Sequence, residues 1–95
     1  MKDKYIVSYD ISDDKRRRKF VKIIEDYGIR WQFSVFLCEF TVAEKKEFNT
    51  KIKKVINSKK DSVISIPTSP QTLERTEVIG VVDLTKSINK EPSFF

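Results

Sequence analysis

The chain has 95 residues and a mass of 11.2 kDa, 39% hydrophobic and 35% charged, the size and composition of one globular domain rather than a disordered segment. Its single cysteine and lack of histidine exclude disulfide frameworks, Cys/His zinc sites and Ser-His-Asp triads, so any catalysis must rest on carboxylates, a metal, Tyr, Ser, Thr, Lys or Cys38. The net charge of +5 is unevenly placed, with 16 Lys and Arg against 9 Asp and Glu in residues 1–60 and 3 against 5 in residues 61–95, which predicts a polyanion-binding face on the first two-thirds of the chain.

No apolar run approaches the ~18 residues of a membrane span and no signal peptide precedes the first strand, so a soluble, cytoplasmic protein with no membrane partner is expected. Residues 4–10 (KYIVSYD) alternate at period two and read as a strand. Tyr5, Val7 and Tyr9 take one face; Ile6, Ser8 and Asp10 take the other. Ser12, Asp13 and Asp14 supply a cap and negative charge for a helix start. Phe20, Ile23, Ile24 and Tyr27 then recur at helical spacing, and Gly28 is expected to stop the helix in the left-handed conformation. Lys15, Arg16, Arg17, Arg18, Lys19 and Lys22 fall in the opening turns.

Residues 29–40 (IRWQFSVFLCEF) contain no Gly, Pro, Asn or Asp. They form either one long strand or two strands with a tight hairpin near Phe33 and Ser34. Thr41 and Glu44 have capping-box spacing. Phe48, Ile52, Val55 and Ile56 line one face of the second helix, which is expected to end at Asn57 and Ser58, with Lys45, Lys46, Lys51, Lys53 and Lys54 on the rest. Residues 62–66 read as a short strand stopped by Pro67, 67–73 as a loop, 76–84 (TEVIGVVDL) as a final strand and 85–95 as a loose tail. With two strands in 29–40, the order predicts an α+β, ferredoxin-like βαββαβ domain with an extra C-terminal strand over residues 1–84. Both helices then cover one sheet face. The other face is left for a second copy of the chain.

Asp10 is the most informative acid. It ends an apolar strand just before a basic helix, where a carboxylate can bind a hard cation through oxygen beside a phosphate. Capping the turn is the plainer role for the same residue. The basic run is either a solvated helix face or a phosphate site; in the first turns it opposes the helix dipole, which a bound phosphate or Asp13 and Asp14 would relieve. Arg30 offers bidentate phosphate recognition. Trp31, Phe33 and Phe36 have ring faces for stacking bases, although strand aromatics are more often core or interface. Cys38 shares parity with Phe36 and Phe40 and reads as a small buried hydrophobe.

The segments SYDISDDKRRRKFVKIIEDYGIRWQFSVFLCEF and TEVIG resemble the CRISPR-associated protein two family, small ferredoxin-like homodimers of CRISPR adaptation. The most specific parts are Tyr9, Asp10 and Ile11 with the run after them, the corner from Tyr27 and Gly28 to Arg30, and Gln32, Ser34, Val35, Phe36 and Cys38. The resemblance implies two strands with almost no turn in residues 29–40. It implies that Asp10, one from each subunit, is the metal-binding and catalytic aspartate, with Mg²⁺ or Mn²⁺ as cofactor. Tyr9 matches the aromatic beside it. Arg16, Arg17 and Arg30 match nucleic-acid-binding positions, Arg18 lies in the same run, and Phe36 matches an aromatic near the site. Two positions depart from the pattern: Leu37 replaces a polar or acidic residue, leaving Asp10 fewer neighbouring carboxylates, and Trp31 replaces an aliphatic one. The implied activity is metal-dependent endonuclease, on RNA or double-stranded DNA, with the CRISPR integrase (CRISPR-associated protein one) as partner. The alternatives are a non-catalytic DNA-binding scaffold of the integration complex and a toxin-type ribonuclease related to virulence-associated protein D.

Overall fold

The computed structural model describes residues 1–81. The period-two segment near the start forms β1 (Asp3–Asp10), followed by α1 (Asp14–Ile24), β2 (Gly28–Gln32), β3 (Val35–Phe40), α2 (Val42–Lys53), β4 (Ser62–Thr68) and α3 (Pro70–Glu74). The strands make one antiparallel sheet in the order β2-β3-β1-β4, which is the ferredoxin-like α+β plan. Phe33 and Ser34 form the hairpin turn between β2 and β3, so residues 29–40 are two strands.

The alternation of β1 sorts its neighbours into two layers. Val7 and Tyr9 join Phe36, Cys38 and Phe40 of β3, Phe20 and Ile24 of α1, and Phe48 and Ile52 of α2 in one buried cluster. Both helices therefore lie on the face that carries the odd residues of β1. Aromatic rings tie this layer together, with Tyr9 4.7 Å from Phe20 and Phe40 5.0 Å from Phe48 between centroids. Cys38 is buried here, and desolvation pushes its thiol up to about 12. A thiol so placed is inert as a nucleophile at neutral pH.

The other face is less open than its sequence suggests. Residues 67–73 do not form a plain loop: β4 runs through Pro67, which faces Tyr5 across an edge strand where its missing N–H is tolerated. Ser69 then caps α3, accepting from the Thr72 N–H, with proline at the favoured first position. Leu73 of α3 packs over Ile29 and Leu37, and Ile6 joins them. Toward β4 no described residue covers the face, with Ile64 56% and Ile66 47% exposed. Residues 76–81 form no strand in the chain by itself, and the rest of the expected strand, like the tail 85–95, lies outside the described residues.

Two local expectations change and one holds. Helix α1 ends at Ile24, and Gly28 opens β2 without a positive φ. Its glycine is needed for close approach, because a Cβ there would stand 2.2 Å from the Leu37 carbonyl oxygen of β3. Helix α2 ends at Lys53, though Val55 and Ile56 still pack on the core from the following turn. The capping box is formed: the Glu44 N–H donates to Thr41 Oγ1 at 3.1 Å and the Thr41 N–H to the Glu44 carboxylate at 2.8 Å.

Arg16 holds the start of α1 to the segment before β4. Its Nε and a terminal nitrogen donate to the two carboxylate oxygens of Asp61 at 2.8 and 3.0 Å, and the Asn57 N–H donates to the same group at 2.8 Å. The Asp61 side chain is 0% exposed. The Arg16 guanidinium and then the Asn57 N–H hold the Asp61 carboxyl below its ordinary value. A carboxylate lowered in the fold stabilises above the unfolded-state pKa near ~4 and ceases to do so as pH falls through its folded value. Arg16→Ala or Asp61→Asn is therefore expected to lower the neutral-pH melting temperature by roughly 5 °C. It should also remove part of the acid-side loss of stability, readable from melting curves between pH 2 and 7.

Candidate active site

Asp10 stands exposed at the last position of β1, opposite Ser62 of β4. A groove of about 530 Å³ runs past it, lined by Ser8, Tyr9, Ser12, Arg17, Phe33 and Ser34 among others. Each wall has an identifiable support. Asp13 caps α1 by accepting from the Arg16 N–H at 2.9 Å, so the helix starts at Asp14, shortly after Asp10. Arg17 reaches back from the helix: one terminal nitrogen donates to the Ile11 and Ser12 carbonyls at 3.0 and 3.4 Å, and the other pairs with Asp14. The opposite wall is the β2–β3 turn. The Tyr9 N–H donates to the Ser34 carbonyl at 3.0 Å and the Tyr9 hydroxyl to the Phe33 carbonyl at 2.9 Å.

Beside this groove lies a second cleft, of about 540 Å³, lined by Lys15, Arg17, Arg18, Lys19, Lys22 and Arg30 together with Tyr9, Val21 and Phe33. Basic side chains from about two turns of α1 thus converge with Arg30 of β2. Arg30 donates to the Phe33 carbonyl and stands 5.1 Å over the Phe36 ring and 5.9 Å over the Phe33 ring. Among the described residues no acidic side chain lines this cleft. The one carboxylate of the neighbouring groove, Asp10, is within a few residues of it in sequence and shares Tyr9, Arg17 and Phe33 as common walls.

The expected residues take distinct places. Asp10, Arg17, Arg18 and Arg30 come together around the two grooves. Arg16 is turned toward Asp61 and acts as a brace for the loop. Tyr9 is buried and spends its hydroxyl on the hairpin, so it positions the turn rather than offering a ring face. Phe36, expected near nucleic acid, is 1% exposed in the core between the helices and the sheet, which leaves no ring face for a base. Its role is to back Arg30. Leu37 lies opposite Ile6, four positions along β1 from Asp10, and is not a groove residue within the chain. Asp61 is the residue whose importance the sequence hid, because an aspartate 45 positions from Arg16 has no local signature; of the three aromatics with candidate ring faces, Phe33 is the one the structure leaves exposed.

The donors around Asp10 are oxygens: its carboxylate and the serines at 8, 12 and 34. That chemistry suits Mg²⁺ or Mn²⁺ and not a soft metal. Among the described residues no group of three or more Asp, Glu, His or Cys side chains converges. One chain therefore offers one charged ligand, and further anionic oxygens must come from a second copy or from substrate phosphates, which is within the habit of Mg²⁺.

A ferredoxin-like domain with a strand-end carboxylate beside a basic cleft has the makings of a small nucleic-acid-processing protein. The chain belongs to the family described as CRISPR associated protein Cas2, which it matches over residues 3–76. It is 38% identical over 82 residues to the CRISPR-associated endoribonuclease Cas2 3 of Synechocystis sp., covering 86% of this chain and 89% of that protein. Among solved structures it resembles Streptococcus pyogenes Cas2, with a TM-score of 0.75 and 32% identity over 81% of this chain and 99% of that one. It also resembles a chain of a partial Cas6-RT-Cas1–Cas2 complex, with a TM-score of 0.68 and 28% identity over 83% and 91% of the two chains. The membership sets aside the toxin-type reading. No helix among the described residues is long and apolar enough to cross a membrane.

Proposed function

We propose that the protein is a CRISPR adaptation factor that acts as a homodimer and hydrolyses phosphodiester bonds in nucleic acid with Mg²⁺ or Mn²⁺. The observation that carries this reading is the exposed Asp10 carboxylate at the end of β1, in a groove that shares Tyr9, Arg17 and Phe33 with a cleft of six basic side chains. The endoribonuclease names of relatives such as the Synechocystis protein support it. The bare half of the sheet supports the dimer: Ile64 and Ile66, on the Asp10 side of the sheet, are apolar and uncovered. So are Val78, Ile79 and Val81 just beyond α3. A second copy related by a twofold axis would bury them and bring a second Asp10 toward the first.

The residues divide the work. Arg18, Lys19 and Arg30 neutralise and align the strand, and Arg17 fixes the loop after Asp10. Asp10 of each chain supplies the anionic oxygens that hold the cation. Bound there, Mg²⁺ supplies the Lewis-acid charge that stabilises the phosphoryl group as it is attacked. No histidine is present to act as a near-neutral acid or base, so activity is expected to depend wholly on the cation.

The test is cleavage of labelled single-stranded RNA and double-stranded DNA in Mg²⁺, in Mn²⁺ and in EDTA. Cutting in either metal that stops in EDTA supports the reading, and cutting in EDTA contradicts it. A second reading, a non-catalytic bridge between integrase subunits, is favoured by the likeness to a chain of the Cas1–Cas2-containing complex. It predicts an inactive wild type that still binds duplex DNA.

A further inference from the structure

Phe33 holds its ring outside both hydrophobic clusters. Its ring is 76% exposed, whereas the four other phenylalanines among the described residues, Phe20, Phe36, Phe40 and Phe48, are exposed by 1% or less. Its backbone, by contrast, is firmly held. The carbonyl accepts from the Tyr9 hydroxyl at 2.9 Å and from the Arg30 guanidinium, and the next carbonyl, of Ser34, accepts from the Tyr9 N–H at 3.0 Å. The ring is thus presented to solvent from a fixed turn, on the wall shared by the Asp10 groove and the basic cleft.

The surroundings select the occupant. Lys15, Arg17, Arg18, Lys19 and Arg30 share the cleft wall with Phe33, so a second copy bringing the same cleft would be repelled. A ligand that is both polyanionic and furnished with flat apolar faces fits, and a nucleic-acid strand is that ligand. Bases inside a duplex have their faces stacked on each other, so away from a duplex end the ring can meet only an unpaired base.

We propose that Phe33 is a stacking platform for one unpaired nucleobase of a single strand whose phosphates run along Arg18, Lys19 and Arg30. The proposal rests on the nucleic-acid reading above and narrows it to single-stranded substrate at this contact. Stacking is insensitive to salt, whereas phosphate contacts are not, so the two are separable.

The experiment measures the affinity of the full chain for a fluorescein-labelled single-stranded RNA dodecamer and for the corresponding duplex over a range of salt. Phe33→Ala is expected to weaken single-strand binding roughly 5- to 150-fold. It should leave duplex affinity, salt slope and melting temperature unchanged, and Phe33→Trp should restore binding. Single-strand affinity within twofold of wild type in Phe33→Ala overturns the proposal while leaving the nucleic-acid reading in place. Equal loss for single strand and duplex overturns it too, as does a change of oligomeric state in sedimentation, which would make the ring part of a protein interface. Failure of the wild type to bind either oligonucleotide contradicts the nucleic-acid reading itself, and the proposal falls with it.

Discussion

Asp10→Asn is expected to reduce metal-dependent cleavage by about three orders of magnitude, the scale of losing several kcal/mol of transition-state charge stabilisation. The substitution keeps side-chain volume at an exposed strand end, so the melting temperature should move by less than about 3 °C. It removes one negative charge per chain beside the phosphate path, and nucleic-acid affinity should stay level or rise slightly. Activity, melting temperature and affinity measured on one preparation separate this outcome from unfolding. Residual activity comparable with wild type would place the chemistry away from Asp10.

The second large effect is electrostatic. If about six phosphates are neutralised across a dimer, the logarithm of the duplex binding constant falls with log salt at a slope near −5, roughly a thousandfold between 50 and 200 mM. The variant that tests the face is Arg18→Ala with Lys19→Ala and Lys22→Ala, three exposed side chains of the cleft wall. Arg16 is left alone because it braces Asp61, and Arg17 because it holds the Ile11 and Ser12 carbonyls. Each lost phosphate contact flattens the slope by about one, so the triple variant should at least halve it. An unchanged slope would move the binding face to Lys51 and Lys53 of α2 and Lys54 just after it.

What the sequence revealed and what it hid follow from the range of the forces involved. The two faces of β1 were legible because strand alternation is a one-residue rule: Val7 and Tyr9 lie among the helices, and Ile6 lies opposite. The caps at Asp13 and Thr41 were legible because a side chain three residues from its backbone donor needs no tertiary contact. Gly28 was misjudged because its reason is the Leu37 carbonyl across a strand pair, not its own helix. Residues 67–73 read as loop because two prolines punctuate the segment, although a serine followed by proline and a leucine three residues later is also a helix start, here of α3.

At the site, Asp10 stood out from position alone, as a carboxylate between an apolar strand and a basic helix. The division of labour among its neighbours did not. Phe33 and Phe36 differ by three residues in the same aromatic run, and only the hairpin turn decides that one is exposed and the other buried. Arg16 and Arg18 are two steps apart on one helix, which turns them to different sides, the first to Asp61 and the second to the cleft.

The central claim is that the reaction needs Asp10 from two chains at once. Mixing wild-type chain with Asp10→Asn chain at constant total concentration, with full exchange of subunits, tests it directly. If both carboxylates serve one site, only dimers of two wild-type chains are active, and cleavage follows the square of the wild-type fraction, about one quarter of full rate in an equal mixture. A linear dependence, about one half in the equal mixture, would mean that each chain works alone and would contradict the shared site.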